Sequence, residues 1–129
     1  MVRVSIGFRA SGPKFSPKNV ERHTGIRFSK KNEPGDIGTI GRYRDHPLPY
    51  GSCELNGPET GVDLQVPDPS FFESIEGAAR ECLMAGATSM LLHLDVAYTD
   101  QCNLELSKDF VSALARAGVS ITMSCYEDS

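Results

Sequence analysis

The chain has no tryptophan. It has no pair of cysteines spaced C-x-x-C, and no run close to the roughly 18 apolar residues that a membrane-spanning helix requires. The opening segment, MVRVSIGFRA, lacks an apolar stretch followed by a small-residue cleavage site, so a secretory leader is not expected there. These absences point to a cytoplasmic protein. The four cysteines, at positions 53, 82, 102 and 125, are then expected as reduced, mostly buried thiols. Zinc ligation with His23, His46 or His93 would need a local ligand spacing that is missing, so no metal is assigned. The dinucleotide fingerprint G-x-G-x-x-G is absent too, and no cofactor is assigned.

What is present suits one domain over residues 1–129, with 40% hydrophobic residues to form a single core. The net charge of −4 conceals a division: residues 1–52 carry +6 and residues 53–129 carry −10. Such a split favours opposed surface patches unless the halves interleave in space.

Several elements are legible. Val2, Val4, Ile6 and Phe8 alternate with Arg3, Ser5, Gly7 and Arg9, which predicts a strand with one buried face. Ser16-Pro17 opens a short helix through Val20, ended by Gly25. Tyr50 to Asn56 and Gly61 to Val66 read as strands that can pair as a hairpin. Asp68-Pro69 starts a second helix, with Phe71, Phe72, Ile75, Ala78, Ala79, Cys82 and Leu83 as its apolar stripe. Glu73, Glu76 and Glu81 are expected on its solvated side. Ser89 to Thr99 is a central strand. Ser107 caps a third helix with Phe110, Val111, Leu114 and Ala117 inward, and Val119 to Tyr126 is the last strand. The expected fold is α+β: a mostly antiparallel sheet of four to five strands with three helices packed on one face. The final strand–helix–strand unit could instead be a parallel crossover.

Residues 24–55 stand apart, because Pro34-Gly35-Asp36, Gly38, Gly41, Pro47 and Pro49 break any regular element. This loop carries Lys30, Lys31, Asp36, Arg42, Tyr43 and Arg44. Arg and Tyr are frequent anchors in protein interfaces, so the segment is a candidate partner-binding surface. The same cations and Tyr43 could contact RNA phosphates and stack a base, but the acidic total and single interleaved aromatic disfavour nucleic acid. The acidic half, with Asp63, Glu73, Glu76 and Glu81, is the second candidate surface. His93 and Asp95 are two apart on one strand, which makes their side chains neighbours and a candidate polar pair for a ligand pocket walled by the loop. No nucleophile motif accompanies them, so no catalytic residue is assigned.

Thr24-Gly25-Ile26, Gly35-Asp36, Cys53-Glu54-Leu55, the helix from Phe71 to Leu83, the strand from Met90 to Tyr98, the Leu106-Ser107 helix and the closing Ile121 to Tyr126 strand follow one another in a set order. In that order the chain resembles a family of bacterial proteins of about this size, classed as a domain of unknown function. Here Cys53 stands where the family pattern has Trp. The resemblance implies a binding role without catalysis, since some relatives look like immunity proteins that neutralise a toxin. The expected partners are a cognate toxin or a second copy of the chain, and not a membrane.

Overall fold

The computed structural model describes residues 2–57 and 69–128, with backbone only for 69–72. The expected strand Gly61 to Val66, the cap Asp68, the candidate Asp63, and the side chains of Phe71 and Phe72 therefore lie outside the described residues.

Strand β1 (Val2–Gly12) is the alternating segment, and its inward positions are buried while the intervening ones are not. Helix α1 (Pro17–Thr24) starts where Ser16 accepts the Asn19 N–H at 3.3 Å, and ends on Gly25 at φ 76°. Then come β2 (Lys30–Asn32), β3 (Gly51–Asn56), α2 (Pro69–Met84), β4 (Ser89–Tyr98), α3 (Lys108–Arg116) and β5 (Ser120–Glu127). Ser107 caps α3 as expected, accepting the Phe110 N–H at 3.2 Å.

The five strands form one sheet in the order β2-β3-β1-β4-β5. β1 pairs antiparallel with both β3 and β4, and β2 antiparallel with β3. Among the described strands only β4 and β5 are parallel, so the crossover alternative holds for the last unit. The fold is thus α+β with a mostly antiparallel sheet. β2 is an addition to the sequence reading. Lys30-Lys31-Asn32 has no hydrophobic alternation, and its pairing rests on the backbone of β3.

Val4, Phe8, Leu94 and Val96 on the sheet meet Val20 of α1, Ile75, Ala78, Ala79 and Cys82 of α2, and Phe110 and Leu114 of α3 in one core. All these sheet residues share one face, which places the helices on that face and leaves the other without a helix among the described residues. The open face is polar, with Arg9, Glu54, Ser5, His93, Asp95 and Thr122 across its rows.

Two predicted core positions are corrected. Leu83 is 59% exposed and Val111 41% exposed, because each lies at the margin of its helix's buried stripe. Met123 is 42% exposed and Cys125 is exposed, although they share a register with the buried Leu94 and Val96. β5 is the outermost strand, and none of the described residues covers the sheet beyond it. Of the other cysteines, Cys53 and Cys82 are buried and Cys102 is half-buried, all as free thiols. The neighbouring Cys82 thiol and burial together push the Cys53 thiol far up, which keeps it protonated and inert.

The approach to the long loop is tied down by Glu21. Its carboxylate accepts the Phe28 N–H at 3.0 Å and pairs with Lys31. The Lys31 ammonium first, and the Phe28 N–H second, hold this carboxyl below its usual range. A depressed folded-state pKa stabilises above the unfolded value, and the gain is lost as pH falls through the folded value. Glu21→Gln is therefore expected to cost about 1 kcal/mol at pH 7. The gap between the two proteins should close as the solution is acidified below the carboxylate range. Chemical denaturation across pH checks this, and a gap that persists in acid would assign the loss to packing instead.

Candidate functional site

The segment between β2 and β3 folds into a compact excursion built from its own backbone. The Gly35 N–H donates to Leu48 O at 2.8 Å, and the Leu48 N–H to Asp36 O at 2.7 Å. Further out, the Gly38 N–H donates to His46 O at 2.9 Å, the Asp45 N–H to Gly38 O at 2.9 Å, and the His46 N–H to Tyr43 O at 3.0 Å. One turn of 3-10 helix, Gly41–Tyr43, forms the tip. The Asp36 carboxylate closes the base by accepting the Glu33 N–H at 2.8 Å, and Glu33 in turn accepts the Ser16 hydroxyl at 2.6 Å. The loop is thereby anchored to the start of α1.

Gly38 and Gly41 are among the glycines that this geometry requires. Gly41 has φ 69°, in the left-handed region. At Gly38, a Cβ would stand 2.2 Å from the Tyr43 carbonyl oxygen.

The side chains at the tip are unlike an ordinary solvated loop. Ile40 is 83% exposed and Ile37 is 59% exposed. The Arg42 guanidinium lies 5.6 Å from the centre of the Tyr43 ring, and Tyr43 meets Tyr50 edge-on with centroids 6.1 Å apart. The two aromatic rings and the guanidinium thus hold one another in place next to two uncovered isoleucines.

The basic cluster read from the sequence is divided by the structure. Arg42, Tyr43, Arg44 and Asp36 share the loop. Lys30 and Lys31 are successive strand residues on opposite faces of the sheet. Lys31 reaches toward α1 and Glu21. Lys30 lines a shallow concavity of about 250 Å³ on the open face with Arg9, Asn32 and Glu54. Arg9 and Glu54 pair there at 3.5 Å.

The acidic candidates are likewise separated. Glu73 is exposed on the outer side of α2, while Glu76 and Glu81 are half-buried on opposite flanks. Glu76 shares a groove with Arg80 and Arg116 toward α3, and Glu81 faces Asn19 and His23 of α1.

His93 and Asp95 are adjacent as predicted, with Nε2 to Oδ1 at 3.2 Å. The structure adds Thr122, whose hydroxyl lies 2.6 Å from His93 Nδ1. His93 stands opposite Gly7, which supplies no side chain beyond Cα. The result is a hydrogen-bonded line of Thr122, His93 and Asp95 across this face of the sheet. Its surroundings are a flat polar sheet. A groove of about 510 Å³ lies elsewhere, between Ile26, Arg27, Leu55 and the Gly77 side of α2.

Comparison with protein-family models, with curated proteins and with solved structures finds no match. The case for a site rests on geometry alone.

No group of three metal-ligating side chains comes together among the described residues. Among them, too, no helix is long and apolar enough to cross a membrane. Two features escaped the sequence reading. Ile37 and Ile40 flank Gly38 in a turn-rich segment, and an apolar residue amid turn formers was the available signal. Thr122 meets His93 only through the parallel pairing of β4 and β5, which leaves no mark in local sequence.

Proposed function

We propose that this chain is a non-enzymatic binding protein that acts in the cytoplasm and grips another protein through the Gly35 to Leu48 loop. The observation that carries the reading is the exposure of Ile40 and Ile37 on a loop closed by its own hydrogen bonds. Uncovered branched aliphatic side chains beside Arg42, Tyr43 and Arg44 have the composition of an interface anchor. A loop already held in shape loses little entropy on docking, which favours affinity. Nucleic acid suits the tip less well, because Arg42 and Tyr50 already occupy the surroundings of the Tyr43 ring. A toxin whose active site is occluded by the loop is the specific partner proposed.

The test is co-expression of the chain with the product of the adjacent gene. Growth should be protected by the natural chain and lost with Ile40→Asp at equal expression. Survival no better than with an empty vector would overturn the toxin assignment. Crosslinking in cells tests the surface itself: a protein captured equally by the natural chain and by Ile40→Asp would overturn the loop as the contact.

A further inference from the structure

The two edges of the sheet differ in kind. β2 is three residues long and carries Lys30 and Lys31, the short, charged form that resists pairing with another chain. β5 is eight residues long, reads Ser-Ile-Thr-Met-Ser-Cys-Tyr-Glu, and has no proline or basic residue. Its only charge is Glu127, at the end. Among the described residues nothing pairs with its outer side. Met123 and Tyr126 are 42% and 53% exposed on opposite faces of this strand.

We propose that β5 is a self-association edge, pairing antiparallel with β5 of a second copy about a two-fold axis at Met123. Residues facing each other in an antiparallel pair lie on the same side of the sheet. A two-fold axis perpendicular to the sheet preserves that side and keeps both helical layers together, so it must pass through a residue position rather than between two. Placed at Met123, it sets Met123 against Met123 of the second copy and Ile121 against Cys125. On the open face it sets Ser120 against Tyr126 and Thr122 against Ser124. Every apolar side chain of the helix-side row then meets an apolar one, and hydroxyl-bearing side chains meet each other. The glutamates at position 127 fall outside the seven paired positions. The second copy also covers Met123 and Cys125, which the helices of one chain leave bare. A continuous sheet of ten strands results, formed from two copies of the five-stranded sheet. This edge is separate from the loop at Ile40, so both can be used at once.

Sedimentation velocity of the reduced chain over a concentration series provides the test. The natural chain should move toward a species of twice 14.0 kDa as concentration rises. Met123→Lys sets two ammonium groups face to face and removes apolar contact, and should raise the midpoint at least about tenfold. Ile40→Asp should leave the midpoint unchanged, which separates this edge from the loop. Met123→Cys should form an intermolecular disulfide under mild oxidation, mapped by peptide mass to position 123 of both copies. A chain that stays monomeric to its solubility limit overturns the proposal. So does a dimer indifferent to Met123→Lys, or one crosslinked through Cys125 but not through position 123.

Discussion

Phe8→Ala is expected to cost about 3–5 kcal/mol of stability. Phe8 is wholly buried at the centre of β1, the strand held by both β3 and β4. It stands beside Leu92 and Leu55 across the ladder, and it belongs to the same core as Ile75, Cys82 and Leu114. Truncation removes the ring's transfer free energy and leaves a cavity that strands fixed on both sides cannot close. A domain of this size has only about 5–15 kcal/mol in total, so the variant should sit near the edge of folding. Denaturant titration would show a lower midpoint at nearly unchanged slope. Phe8→Leu, which refills much of the volume, should recover over half of the loss. A loss below 1 kcal/mol for Phe8→Ala, on the order of a surface change, would contradict the central place given to this side chain.

The second large effect is local. Gly38→Ala places a Cβ 2.2 Å from the Tyr43 carbonyl oxygen and 2.8 Å from its carbon, both backbone atoms that cannot swing aside. The tip must open, breaking the bonds that join Gly38 to His46 and Asp45. Overpacking of this kind costs about 1–3 kcal/mol, borne by the loop rather than by the core. Trypsin supplies a readout that needs no partner, since Arg42 and Arg44 sit at the tip. When opening is fast, cleavage follows the open population, so cutting after these residues should accelerate about tenfold while the global denaturation midpoint changes little. Gly41→Ala has open space at its Cβ and only the cost of φ 69°, so its acceleration should be smaller. Binding to any partner of the loop should weaken in the same order. Equal cleavage of Gly38→Ala and the natural chain would show that the tip is not held as described.

How far these features were legible differs by scale. The alternation of Val2 to Phe8, the caps at Ser16 and Ser107, and the glycine stop at Gly25 are local signals, and each marks its element correctly. Local signals act through the backbone of a few neighbouring residues, so they survive translation into structure. Leu83 and Val111 fail for the opposite reason. Their spacing suits a stripe, but its width depends on what packs against the helix, and both side chains are left exposed. Met123 and Cys125 fit the inward phase of β5 and are still uncovered, because being last in the sheet is a property of topology, not of period.

The candidate surfaces show the same division. Nearness in sequence grouped Lys30 and Lys31 with Arg42, Tyr43 and Arg44; strand alternation then turned the two lysines to opposite faces. Nearness also joined His93 to Asp95 correctly, since residues two apart on a strand share a face. It could not supply Thr122, which is 29 residues from His93.

By itself the sequence determined the class of fold, the central strands, both ends of α1, the start of α3 and the presence of a loop that is no regular element. These follow from hydrophobic period, capping chemistry and the backbone limits of proline and glycine, all of which act over a few residues. The tertiary structure alone decided which strand is left at the edge, that Ile37 and Ile40 are uncovered, and which charged residues share a surface. Each of these depends on contacts between residues distant along the chain, where burial is set by what the fold places opposite.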